Sequence, residues 1–381
     1  MAIEKIQIQQ FISLSADYPV LDVRSPGEYL HAHIPGAYSL PLFTDQERAV
    51  VGTLYKQEGR ESAIKTGLDY FGVKMRRMVE EIVQQYTSLI PKGSSPVRSS
   101  SSRPILVHCW RGGMRSAGVA WLLDLYGFKV YTLAGGYKTF RGWVFDQFSE
   151  PGPIHILGGY TGSGKTDLLH HIQSKEESSV IDLEGLANHK GSAFGAIGLA
   201  EQPSQEMFEN KLALSIFRIR QSGFHNGKEH TNNIESEKPI WLEDESQRIG
   251  TVNIPASMWD IMRRAPVYFL DIPFEERLKY LTETYGKLNK SDLAAAITRI
   301  QKRLGGLETK TSLGYLVEEN ISACFDILLK YYDKKYKKSL SNREDADKLI
   351  QMVPCSTVEA KSNFRILEKQ LKTVYGDNSS N

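Results

Sequence analysis

Residues 104–128 read PILVHCWRGGMRSAGVAWLLDLYGF: an unbroken apolar run, a loop with one cysteine, two glycines and two arginines, then apolar residues at helical spacing. Strand, loop and helix in that order build a parallel sheet, because parallel neighbours need a crossover and a helix is the usual one. The same order recurs at 153–172, PIHILGGYTGSGKTDLLHHI. Further strand-like runs are YPVLDV (18–23), KVYTL (129–133), SSVIDLEGL (178–186), KPIWLEDE (238–245) and APVYFLDI (265–272), and RRMVEEIVQQY (76–86) is helical in pattern. From about Phe274 onward the pattern stays helical, through FEERLKYLTETY, LAAAITRIQKRL and ISACFDILLKYYDKKYKK. The alternation predicts an α/β fold with an N-terminal parallel-sheet domain and a second α/β domain ending in a helical part.

A chain of 381 residues is long enough for two domains, each burying its own core. EPGP (150–153) reads as the linker, giving domains at 1–147 and 152–381. KGSSPVRSSSSR (92–103) lacks the apolar residues to pack a core and reads as a flexible surface insertion in the first domain. No internal repeat is visible. Hydrophobic content of 41% and charged content of 24% are ordinary for a globular protein, and a formal charge of +2 neither requires nor excludes a nucleic acid. The basic stretches MRRAP (262–266), Arg299 with Lys302 and Arg303, and DKKYKK (333–338) read first as solvated helix faces. The N-terminus lacks the layout of a signal peptide, and no apolar run is long enough to span a membrane. Three scattered cysteines, Cys109, Cys324 and Cys355, argue against a disulfide framework and for a reducing cytoplasm.

Cys109 ends an apolar strand just before a helix begins. Loop amides and the positive helix end therefore converge on whatever the cysteine carries, forming an anion nest that also lowers a thiol pKa. Arg111 and Arg115 add positive charge; Gly112 and Gly113 are expected to supply positive φ and close backbone approach, with Met114 and Ser116 completing the nest. Cys324, in a helical apolar pattern, and Cys355, after a proline, read as plain buried cysteines. Downstream, GYTGSGKT (159–166) fits the phosphate-loop pattern G-x-x-x-x-G-K-[ST] between strand and helix. Gly159, Gly162, Ser163, Gly164, Lys165 and Thr166 would then cradle phosphate, and Thr166 is the residue that would hold Mg²⁺. Such a loop recognises an oligophosphate and does not require adenosine. The acidic partners are open between Asp182 and Glu184 after one strand and Glu243, Asp244 and Glu245 after another; Arg248 lies just beyond.

His-Cys, five residues, Arg-Ser is the pattern of cysteine-dependent phosphatases, and a similar loop, usually one residue shorter, serves rhodanese-like sulfurtransferases. LDVRSPGEYLHAHIPGAYSLPL (21–42) and LAGGYKTFRGW (133–143) resemble the rhodanese signatures that flank such a loop. That resemblance makes residues 1–147 a rhodanese-like domain, with Asp22 and Arg24 as structural partners of the loop. Joined to GGYTGSGKT, and with DLEGLANHKGSAFG (182–195) and WLEDESQRIG (241–250), the chain resembles the bacterial tRNA 2-selenouridine synthases over most of its length. The resemblance implies an enzyme replacing sulfur by selenium at C2 of the wobble 2-thiouridine of lysine, glutamate and glutamine tRNAs. It implies geranyl diphosphate and selenophosphate as cosubstrates, with no tightly bound cofactor. Cys109 would carry selenium as a selenylsulfide, the phosphate loop would hold the diphosphate, and a selenophosphate-supplying enzyme is an implied partner. The loop length keeps a second expectation alive, a cysteine phosphatase fused to a P-loop kinase-like domain, with Asp45 and Asp69 as candidate acids.

Overall fold

The strand ending at His108 lies inside a five-stranded, wholly parallel sheet in the computed structural model of the chain, which describes residues 3–91, 103–175, 179–224 and 239–376. The first unit runs to Asp146 and contains β1 (Glu4–Ile6), β2 (Val20–Asp22), β3 (Tyr38–Ser39), β4 (Arg103–His108) and β5 (Phe128–Leu133), in the order β1-β5-β4-β2-β3. Ile105, Leu106 and Val107 are fully buried because helices cover both faces of a central parallel strand. Val119, Leu122 and Leu123 of the following helix, Met114–Leu125, bring its apolar stripe onto this sheet, where Leu21, Val23, Phe128 and Val130 complete the core. Two helices the strand–helix alternation does not announce, Asp45–Gln57 and Arg60–Gly72, form a hairpin between β3 and the helix Met75–Leu89. The insertion expected at 92–103 falls on 92–102, outside the described residues, whereas Arg103 already starts β4.

The second unit begins at Gln147. Its strands are β6 (Ile154–Gly159), β7 (Ser179–Val180), β8 (Ile240–Glu243), β9 (Arg248–Ile249), β10 (Val252–Asn253), β11 (Val267–Asp271) and β12 (Ile350–Pro354). A parallel sheet of order β12-β11-β6-β8-β7 places β6 at the centre, and β9 and β10 form a separate antiparallel hairpin. Leu168 and Ile172 of the helix Lys165–Gln173 pack with Leu157, Trp241, Tyr268 and Leu270. A second core of Phe194, Leu281, Ile297, Phe325 and Leu328 holds the helical part. That part is not helical throughout: IQMVP is an edge strand paired along its length with β11. Pairing with a strand about eighty residues upstream, rather than any local periodicity, makes it one.

Candidate active site

Cys109 follows β4 and is 2% exposed. Its Sγ stands 3.2 Å from Ser116 Oγ, which is also 3.1 Å from the Gly113 carbonyl oxygen. Burial opposes ionisation, but the hydroxyl and amide of Ser116, the Arg115 guanidinium and the Gly113 amide outweigh it and hold the thiol below its ordinary value. Arg115 is fixed by Glu28, Nη1 to Oε2 at 2.9 Å, and Arg48 Nε reaches the same oxygen at 3.1 Å. Burial would raise the Glu28 carboxyl; Arg115, the Ser25 amide and Arg48 bring it below its usual range, so it is a fixed anion and no proton donor. Arg111 and Met114 are exposed at the rim.

The three rhodanese-like stretches meet here. Arg24 binds Asp22 side-on, with Nη2 to Oδ2 at 2.6 Å, donates to the Ala32 carbonyl at 2.7 Å and lies 3.9 Å over the Tyr137 ring. The Tyr137 amide donates to the Cys109 carbonyl at 2.8 Å, and the Lys138 amide to that of Trp110 at 3.0 Å. Asp22 and Arg24 thus hold the element that clamps the loop. Gly112 has φ +60°, and a Cβ there would sit 2.5 Å from the Leu133 carbonyl oxygen; Gly136 has φ +61°, and a Cβ there would sit 2.3 Å from that of Cys109. Gly113 does not play the expected part: its φ is −105°, and a Cβ would meet nothing within 4 Å, because the turn is already made at Gly112.

Beside Cys109 lies a cavity of about 960 Å³, walled by the hairpin Asp45–Gln57 and Arg60–Gly72 and by the start of the helix Met114–Leu125. Arg48, Lys56, Arg111 and Arg115 line it, and no carboxylate does among the described residues. Asp45 instead accepts from the Gly27 amide, and Asp69 is exposed outside the lining.

In the phosphate loop, Gly159, Gly162 and Gly164 all have positive φ. Gly162 must be glycine also for space, since a Cβ would meet Leu281 at 2.8 Å and the Arg277 carbonyl at 3.0 Å. Lys165 Nζ donates to the Gly159 carbonyl at 2.8 Å, and Ser163 is buried with its hydroxyl unpartnered. Of the acidic candidates, Glu184 reaches the loop, accepting from Thr166 Oγ1 at 3.2 Å. Burial raises Glu184 and pushes the adjoining Glu245 up to about 8, with Glu184's charge adding to the latter; the two side chains share a hydrogen bond. Glu243 is fully buried, accepts from the Leu183 amide at 3.0 Å and is raised well above its ordinary value by burial and by Asp182 and Glu184. Asp182 caps its own short helix through the Gly185 amide. Asp244 is taken by Tyr336 Oη at 2.6 Å and Arg343 Nη2 at 2.8 Å. Arg248 is exposed on the β9–β10 hairpin and donates to the Gly250 carbonyl. Among the described residues no three or more His, Cys, Asp or Glu side chains form a metal-binding group. Mg²⁺ at Thr166 would therefore draw most of its shell from phosphate oxygens and water, as it commonly does.

Comparison with known proteins matches residues 7–142 to the rhodanese-like domain and residues 152–352 to the tRNA 2-selenouridine synthase AAA domain. A tRNA 2-selenouridine synthase of Hydrogenovibrio crunogenus is 36% identical over 307 residues, 76% of this chain and 76% of that protein. One from Nitrosomonas europaea is 38% identical over 71% of this chain and 64% of its own length. One from Aeromonas salmonicida is 31% identical over 86% and 89%. The chain belongs to the tRNA 2-selenouridine synthase family. Within this family frame, Cys324 and Cys355 are bystanders: both are buried, and burial pushes each thiol up to about 11, Asp271 adding to the effect on Cys355. Sequence reasoning missed the cavity walls and the Tyr336–Asp244–Arg343 cluster. The walls left one signal, apolar residues at helical spacing in RAVVGTLY and SAIKTGLDYF; the cluster left none, since Asp244 lies more than ninety residues before Tyr336 and Arg343.

Proposed function

We propose that this protein replaces the sulfur of a wobble 2-thiouridine by selenium in lysine, glutamate and glutamine tRNAs, in the cytoplasm. Geranyl diphosphate first alkylates the thiocarbonyl sulfur and diphosphate departs. Selenium is then delivered to C2 and the S-geranyl group leaves as geranylthiol. Alkylation is what makes the exchange feasible, because a thiolate bearing carbon leaves far more readily than sulfide.

The Cys109 thiolate attacks phosphorus of selenophosphate: the S–P bond forms and the Se–P bond breaks, its electron pair leaving with selenium. The selenide adds to C2 and expels geranylthiolate, giving the selenouridine with no change of oxidation state; water then cleaves the S–P bond, releasing phosphate and restoring Cys109. Arg111, Arg115 and the loop amides hold the anion. Amides of Gly162 to Lys165, the Lys165 ammonium and Thr166 hold the geranyl diphosphate, stabilising the leaving diphosphate as charge builds. Mg²⁺, when bound, would neutralise part of that charge. A dedicated enzyme must supply the selenophosphate.

The observation that carries this reading is the buried Cys109, held toward its thiolate inside an anion nest, in a chain of this family. The test is nucleoside mass spectrometry after incubation with thiolated tRNA, geranyl diphosphate and selenophosphate. Cys109→Ala should lose selenouridine by about 10³-fold or more while geranylated nucleoside accumulates, and Lys165→Ala should lose the geranylated nucleoside itself. Full selenation by Cys109→Ala, or neither product from the wild-type chain, would refute the reading. The phosphatase alternative keeps the five-residue spacing in its favour, but an alkoxide leaving group needs an acid, and no carboxyl group among the described residues lines the cavity. Turnover of an aryl phosphate that disappears in Cys109→Ser would revive it.

A further inference from the structure

Resting on that reading, we infer that the cavity beside Cys109 is the binding site for the geranyl chain of the S-alkylated nucleoside during selenium transfer. Selenium released at Cys109 must reach C2, and the sulfur to be expelled is bonded to that same carbon. The first carbon of the geranyl chain therefore starts within a few bond lengths of the reacting atoms, and the chain must lie in whatever space adjoins Cys109.

That space is apolar where a terpenoid chain would need it to be. Tyr55, Leu68, Trp110, Met114 and Trp121 are large hydrophobic residues exposed to solvent, and all five line this cavity. Convergence of exposed apolar side chains on one concavity marks a binding surface, whereas scattered ones would not. Gly52, Gly67, Gly72 and Gly118 also line it, leaving room that side chains would take; at Gly52 and Gly72 a Cβ would meet nothing within 4 Å. At about 960 Å³ the space lies within the roughly 300–1,000 Å³ usual for small-molecule sites. Its charged lining is wholly cationic among the described residues, Arg48, Lys56, Arg111 and Arg115, which suits an apolar chain joined to a polyanionic RNA and a selenophosphate beside it. Beside the phosphate loop, the apolar pocket that Thr161 shares with Phe194 and Tyr285 holds only about 20 Å³, space for roughly one water.

The full chain is assayed with selenophosphate and two pre-alkylated tRNAs, one carrying S-geranyl-2-thiouridine and one carrying S-methyl-2-thiouridine. The wild-type protein should prefer the geranylated tRNA in kcat/KM. Leu68→Glu, which puts a charge on the wall, and Gly52→Leu, which fills the space at a helical glycine of ordinary φ, should each reduce that preference by about ten-fold, mainly through the KM of the geranylated tRNA. An unchanged preference in both variants, or an equal loss on both tRNAs, would overturn the assignment. So would selenation that keeps its preference while alkylation from geranyl diphosphate fails, because the cavity would then hold the donor. If the wild-type chain selenates neither tRNA, the proposed function falls first and the pocket assignment falls with it.

Discussion

The chain contains two candidate anion cradles of one design, a buried strand, a loop turned by glycines of positive φ, and the first turn of a helix, and they differ in what surrounds them. The loop after β4 is edged by Arg48, Arg111 and Arg115 and opens on a large apolar cavity with no carboxylate in its described lining. The loop after β6 meets Glu184, and behind it lie Glu243 and Glu245, all three raised by burial and the last two also by the Glu184 charge. On the proposed reading backbone geometry supplies anion affinity in both, and the surrounding side chains decide the chemistry. Hydrogen bonds from Ser116, with the Arg115 charge, hold the first loop's thiol toward its anion; crowded carboxylates suit a loop whose ligand brings positive charge with it or exchanges protons.

The largest effect should follow from breaking the first cradle's geometry. Gly136→Ala puts a Cβ 2.3 Å from the Cys109 carbonyl oxygen and 2.5 Å from the Gly112 nitrogen at a φ that alanine resists. A loss of roughly 3 kcal/mol or more in the urea unfolding of the full chain is expected, with selenation lost too. Gly113→Ala is the contrast, since it has open space and ordinary φ; it should shift stability by less than about 0.5 kcal/mol. Equal costs at the two positions would contradict the assignment of the turn to Gly112 and Gly136.

This contrast also shows what the sequence could reveal. Both loops were legible because strand, glycines, cations and helix lie in one short stretch, and the signatures around Asp22 and Tyr137 carried the first domain. Which glycine turns the loop was not legible, since Gly112 and Gly113 are chemically identical and only the approach of Leu133 and Gly136 distinguishes them. Likewise Asp182, Glu184, Glu243, Asp244 and Glu245 were equivalent candidates. The rotation of the short helix Leu183–Ala187 turns Glu184 to Thr166, and Tyr336 and Arg343, from far along the chain, occupy Asp244. The helix Asp45–Gln57 has no fully buried residue. A periodicity that faces a cavity looks in sequence like one that faces a core, so the walls of the site stayed hidden.

A smaller effect should come from the second cradle's acids. Glu245 is pushed up to about 8 by burial and by Glu184, against an ordinary 4.5. Between those values the folded state binds more protons than the unfolded chain, so stability is fully present below about pH 4.5 and is lost as pH rises through about 8. Glu245→Gln, which mimics the protonated side chain, should flatten the fall in melting temperature between pH 5 and 8, an effect of about 1–2 kcal/mol at this half-buried position. Cys109→Ser, on the other cradle, should leave that slope in place. A slope identical in wild type and Glu245→Gln would show that Glu245 is not the buried acid that sets it.

The smallest effect concerns the thiol. Ser116 touches Cys109 through both hydroxyl and amide, and only the hydroxyl can be removed by mutation. Ser116→Ala should move the midpoint of the iodoacetamide alkylation profile toward higher pH and slow alkylation at neutral pH roughly five-fold, the worth of one modest hydrogen bond to the thiolate. The remaining amides and Arg115 should keep the midpoint below that of an ordinary thiol. Cys324 and Cys355, both pushed up to about 11, supply an internal background that stays unlabelled at neutral pH. If alkylation of Cys109 is indifferent to Ser116 but collapses in Arg115→Met, then charge rather than hydrogen bonding sets the thiolate. The first cradle would then owe its reactivity to the Arg115–Glu28–Arg48 network at its edge, and Glu28→Gln, by releasing Arg115 from its anion, should accelerate alkylation.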